Sequence, residues 1–122
     1  MTDRTTFRLS AQASEIGKEI TEQYNFRDSL KFFQFAMAYA LEHHLGEIEF
    51  EKLDEEYDTD GSTYNVGSIA KSSQVATIIT QLIPGCQTPF RYIRVLMIFG
   101  TLKIKGRLDK GEDFSDIAAI SQ

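Results

Sequence analysis

The chain has 122 residues, 42% hydrophobic and 25% charged, the length and balance of one globular domain that buries about two-thirds of its unfolded surface and so needs no disulfide or metal staple. Its one cysteine excludes an internal disulfide and a cysteine-only zinc site. No apolar run approaches the ~20 residues of a membrane helix, and the first residues carry no apolar signal segment, so a cytoplasmic setting is expected.

The net charge of −5 is unevenly spread. Residues 46–66 hold eight acids and one base, and residues 67–108 hold six bases and no acid. An acidic total argues against nucleic-acid binding, but here the acid sits in one segment.

In chain order, Thr5–Ser10 alternates apolar and polar residues and predicts a short strand. Phe7 and Leu9 point one way, and Arg4, Thr6, Arg8 and Ser10 the other. So short a strand must pair with something. Ser10 reads as a helix N-cap. A first helix follows over about 11–24, with Ala13, Ile16, Ile20 and Tyr24 at helical spacing and Asn25 as its stop signal. A second helix is predicted over about 27–45. It carries one stripe of Leu30, Phe33, Met37 and Ala40 and another of Phe32, Phe35 and Tyr39. An apolar face this broad is buried on two sides, by a third helix or by a second copy of the chain.

Gly46 ends that helix. Residues 46–66 read as an acidic loop, with a brief strand option where Ile48 and Phe50 alternate with glutamates. Ser68 can cap a third helix over about 69–82, whose buried face is Val75, Ile78, Ile79 and Leu82. Pro84-Gly85 breaks it. Thr88-Pro89 starts a fourth helix running to about Lys105, with a strand near 101–105 as the alternative. The tail from Gly111 carries Phe114, Ile117, Ala118 and Ile120 among acids, a weak amphipathic pattern. The fold class expected is mainly α: a short N-terminal strand pairing between chains, then about four helices. Residues 1–45 and 67–122 are expected to pack as one domain around the acidic loop, in a homodimer or a dimer of dimers.

Enzymatic motifs are absent from the sequence. There is no P-loop, no Gly-x-Gly-x-x-Gly and no Gly-x-Ser-x-Gly. Cys86 has no histidine near it in sequence. An EF-hand frame starting at Glu56 places Asp58, Asp60 and Gly61 correctly but ends on Gly67 instead of glutamate. His43, His44, Glu42 and Glu47 have ligand-type spacing, but adjacent histidines at a helix end also suit the helix dipole. The expectation is a non-catalytic protein with no cofactor and no metal.

The order and spacing of residues 3–45 resemble the ribbon-helix-helix family of bacterial DNA-binding proteins. The features are the strand Arg4-Thr-Thr-Phe-Arg8-Leu-Ser10, a first amphipathic helix, the turn Tyr24-Asn25-Phe26 and a second helix opening Phe26-Arg-Asp-Ser-Leu-Lys. A fainter similarity is to the small subunit DndE of DNA phosphorothioation systems, which also begins with such a strand and a helix pair. The ribbon-helix-helix resemblance implies two chains pairing their strands into an antiparallel ribbon that enters the major groove. Arg4, Thr6 and Arg8 would face the bases, and Asn25, Arg27 and Ser29 at the second helix start would hold a phosphate. The competing reading of Arg4, Thr6 and Arg8 is a solvated strand face. Departures from the family are the missing glycine in the turn and Asp28 beside the phosphate position.

The basic residues of the second half spread around a helix axis. Lys103, Lys105 and Arg107 gather near the end of the fourth helix, as a further DNA-backbone contact or as partners of the helix dipole. The sequence thus points to a DNA-binding regulator or a small subunit of a bacterial DNA-processing or defence system. The alternative is an oligomeric adaptor that binds other proteins.

Overall fold

Phe7 and Leu9 are buried while Thr6 and Arg8 are exposed, as the alternation predicts. The computed structural model describes residues 5–69 and 71–119, and Thr6–Arg8 forms strand β1. Its partner is in the same chain. Strand β2, Thr63–Asn65, runs antiparallel to it with Thr6 opposite Asn65, Phe7 opposite Tyr64 and Arg8 opposite Thr63. Backbone bonds extend the ladder at both ends, from Leu9 N to Ser62 O at 2.9 Å and from Val66 N to Thr5 O at 3.0 Å. The short N-terminal strand thus finds a partner within its own chain. Leu9 bonds toward β2, so by antiparallel alternation the carbonyl of Arg8 faces the far edge. There it accepts from Arg94 Nε at 2.6 Å.

Ser10 caps helix α1 (Ala11–Gln23), accepting from Ala13 N at 3.2 Å. The helix ends where expected. Asn25 adopts φ 58°, and Phe26 N bonds back to Thr21 O at 3.1 Å. This is a Schellman closure with asparagine in the left-handed position, where the resembling family uses glycine. Asp28 caps helix α2 (Ser29–His43), accepting from Lys31 N at 2.9 Å.

A 3₁₀ turn, Leu45–Glu47, leads into helix α3 (Phe50–Glu56). The segment expected to be a loop thus holds a turn, a helix and strand β2, and the strand option at 47–51 is not realised. After a second 3₁₀ turn, Val66–Ser68, helix α4 spans Ser72–Leu82. Helix α5 (Pro89–Asp109) continues through residues 101–105, which removes the strand alternative there. Helix α6 is Phe114–Ala119.

The core is the α2–α5 pair. Phe32, Phe33, Ala36, Met37 and Ala40 of α2 are buried, as are Ile93, Leu96, Met97, Gly100 and Ile104 of α5. Gly100 sits directly against the backbone of Ala36, so the helices meet with no side chain between them. On the flank of α2, Phe33 packs under Gly17 of α1. The two-sided burial of α2 is thus supplied by the chain's own helices. Phe114 anchors α6, stacked on Tyr24 at 4.7 Å and set edge-on against Phe26 at 5.6 Å. The predicted face of α4 is only partly covered. Ile79 is buried and Val75 half-buried, but Ile78 and Leu82 are 49% and 47% exposed. No helix among the described residues is long and apolar enough to cross a membrane.

Candidate nucleic-acid interface

Two strands of three residues do not hold a sheet by themselves. This ribbon is held from beneath. Phe7 and Tyr64 pair on its inner face at 5.9 Å, and Tyr64 meets Phe33 of α2 at 6.1 Å. Arg94 holds its edge. That guanidinium is fully buried and makes five hydrogen bonds. Nε donates to Arg8 O; Nη1 donates to Asp54 O at 3.2 Å and Asp54 Oδ1 at 2.9 Å. Nη2 donates to Tyr57 O at 2.8 Å and Asp58 O at 2.6 Å. Three of these acceptors are carbonyls at or beyond the C-terminal end of α3, the end of the helix that lacks internal donors. One side chain therefore ties β1, α3 and α5 together.

At the turn after the ribbon, Asp58 Oδ1 accepts from Ala11 N at 2.8 Å and from Asp60 N at 3.0 Å. Those two bonds, the Asp60 one first, hold its carboxyl below the usual range.

The outer face of the ribbon carries Thr6, Arg8, Thr63 and Asn65, all exposed. This is one guanidinium, one amide and two hydroxyls in two cross-strand pairs. Arginine matches guanine O6 and N7, asparagine matches adenine N6 and N7, and threonine meets polar edges or the thymine methyl. A two-stranded ribbon fits the width of the major groove. Arg4 lies outside the described residues.

Helix α2 reaches the inner face of the ribbon, where Phe33 meets Tyr64 at 6.1 Å. Burial pushes the Tyr64 phenol above its ordinary value, against a hydrogen bond with Ser62 that lowers it and with a smaller push from the Asp28 carboxylate. Asn25 and Arg27 are exposed ahead of α2, and Ser29 is half-buried. The helix amide at Lys31 is already occupied by the Asp28 carboxylate. An incoming phosphate would meet the side chains of Asn25 and Arg27 rather than an open helix end.

Lys103, Lys105 and Arg107 do not share one surface. Lys105 pairs with Asp109 at 3.0 Å. Lys103 lies 3.8 Å from Glu47 and 5.3 Å from the centre of the Phe99 ring. Arg107 binds Glu112 through Nε and Nη2, with a closest approach of 2.7 Å, and Tyr39 Oη through Nη1 at 2.9 Å. These bonds, the Glu112 pair first, raise its pKa, and the same pair lowers that of Glu112. At 100° per residue, Lys103 and Arg107 lie about 180° and about 220° around α5 from Arg94. They face away from the ribbon.

His44 Nδ1 lies 2.6 Å from Glu47 Oε2, and this bond is the first cause of the lowered pKa of Glu47. Among the described residues, no three His, Cys, Asp or Glu side chains converge to hold a metal ion.

Arg94, Thr63 and Asn65 are not picked out by the sequence reading. A lone arginine amid Ile93, Val95 and Leu96 on a central helix was the available signal, because a charge there must be paired. Thr-Tyr-Asn-Val after Asp-Gly-Ser was a second strand signal, hidden within an acidic stretch. No family model matches the chain, and neither a curated protein nor a solved structure matches it.

Proposed function

We propose that the protein is a non-catalytic DNA-binding module whose ribbon, formed within one chain, enters the major groove. It would act as a regulator or as a small subunit of a DNA-processing or defence system. The observation that carries this reading is the outward set Thr6, Arg8, Thr63 and Asn65 on a ribbon backed by Phe33 and Arg94. Its test is a DNA-binding titration over a salt series. Binding that weakens steeply with salt supports phosphate contact. Arg8→Ala is expected to weaken specific binding by about 1–3 kcal/mol with the melting curve unchanged. Equal binding of wild type and Arg8→Ala to every duplex tested sinks the proposal.

A second reading is favoured by α4. Residues 72–90 contain no charged side chain, and Ile78 and Leu82 stand exposed within them. A neutral apolar stripe suits a protein contact, with a second copy or with another subunit. In that adaptor reading Ile78→Ser with Leu82→Ser abolishes self-association or pull-down of a partner and leaves DNA binding at background in both forms.

A further inference from the structure

The C-terminal ends of α2 and α5 enclose a groove of about 420 Å³, within the size range of small-molecule sites. Its walls are Tyr39, His44, Leu102, Lys103, Arg107 and Lys110, and none of its described lining residues is acidic. Lys103 and Arg107 of α5 and its C-cap Lys110 are spaced i, i+4, i+7, which sets three cations along one side of the helix end. Two carboxylates flank the groove: Glu112 on Arg107 at 2.7 Å and Glu47 on His44 at 2.6 Å. Glu47 is 3.8 Å from Lys103, too far for a hydrogen bond, and is itself exposed. The Lys103 ammonium is thus ion-paired with Glu47 without being hydrogen-bonded to it, which leaves it donors for an incoming oxyanion. Arg107 is held rigid by Glu112 and Tyr39.

Gly106 also lines the groove, between Lys103 and Arg107, and is exposed. A Cβ at Gly100 would run into Ala36, and one at Gly17 into Phe33, which accounts for both glycines. A Cβ at Gly106 would meet nothing within 4 Å. Glycine inside a helix is destabilising and is found where something must approach the backbone closely. Among the described residues none approaches the position a Cβ at Gly106 would take.

We infer that this groove binds a small molecule bearing a phosphate group, with the phosphate held by Lys103, Arg107 and Lys110 over the bare backbone at Gly106. The site goes beyond the ribbon reading and stands whether or not that reading does, since the groove lies on the other side of α5. The concave shape suits a free small phosphate better than the convex backbone of a duplex.

The test is calorimetric titration with inorganic phosphate and with adenosine monophosphate as probes. Wild type is expected to show saturable binding. Gly106→Leu, whose Cβ meets nothing within 4 Å and whose longer side chain would project into the groove, should weaken it at least tenfold. Lys103→Gln with Lys110→Gln should weaken it similarly, and Lys105→Gln, outside the groove, should not. Because Lys103 and Lys110 are exposed, that pair decides the matter should Gly106→Leu fail to fold. No saturable binding of either probe, or unchanged binding in the lysine pair, overturns the inference. So does a lysine pair that loses duplex DNA binding while neither probe binds the wild type, which would assign the cations to a nucleic-acid backbone.

Discussion

Burying a guanidinium is unfavourable unless each donor finds an acceptor. Arg94 meets that condition with the Asp54 carboxylate and four backbone carbonyls. Arg94→Ala leaves those acceptors dry and Asp54 without its principal counter-charge. A loss of about 3–5 kcal/mol in urea unfolding is expected. Arg94→Lys should recover little, because an ammonium has three donors and no fork. Asp58 makes a prediction in pH. Its folded pKa is lowered by the amides of Asp60 and Ala11, so the charged form favours folding. That contribution is complete above the unfolded value of roughly 3.9 and disappears as pH falls through the lower folded value. Asp58→Ala should therefore lower stability at pH 7 while narrowing the drop between pH 7 and pH 3, measured by urea melts at both.

Helix α5 holds two glycines with opposite expectations. Gly100→Ala forces a Cβ into the Ala36 backbone and should destabilise by about 1–3 kcal/mol. Gly106→Ala meets open space and should stabilise by roughly 0.5–1 kcal/mol through helix propensity. Thermal melts of the two variants give opposite shifts if the α2–α5 crossing is as described. On α4, Ile79→Ala should cost about 2–5 kcal/mol, whereas Ile78→Ser stays within about 0.5 kcal/mol. Helices α1, α2 and α5 were legible from apolar spacing, with Ser10 and Asn25 marking the ends of α1 and Pro89 the start of α5, whereas Thr88 makes no side-chain cap bond and the Asp28 cap of α2 was not read. Helix α3 was not, since Phe50 and Leu53 are too sparse among glutamates to show a helical period. The exposure of Ile78 and Leu82 was hidden for another reason. Periodicity gives the apolar face of a helix but not how many neighbours cover it.

For the molecule as a whole, the features that pointed to pairing between chains are met inside one chain. The far strand of the ribbon is β2, and the second cover of α2 comes from α1 and α5. The exposed Ile78 and Leu82 of α4 are the face on which the adaptor reading places self-association, and light scattering of Ile78→Ser with Leu82→Ser tests it. Half of the candidate interface, Thr6 and Arg8, was legible from strand alternation. The other half was not, because Thr63 and Asn65 join it only through a pairing across more than fifty residues, and local pattern carries no such contact. The charge reading of Lys103 and Arg107 found real neighbours but not the direction they face. The central claim is that β2 completes the DNA-reading face within one chain, and Asn65→Ala tests it most directly. Anisotropy titrations with a labelled cognate duplex at fixed salt should show Asn65→Ala weakening specific binding by about 1–3 kcal/mol, as Arg8→Ala does. Loss with Arg8→Ala and none with Asn65→Ala would contradict a ribbon completed by β2 and leave β1 to act with another strand.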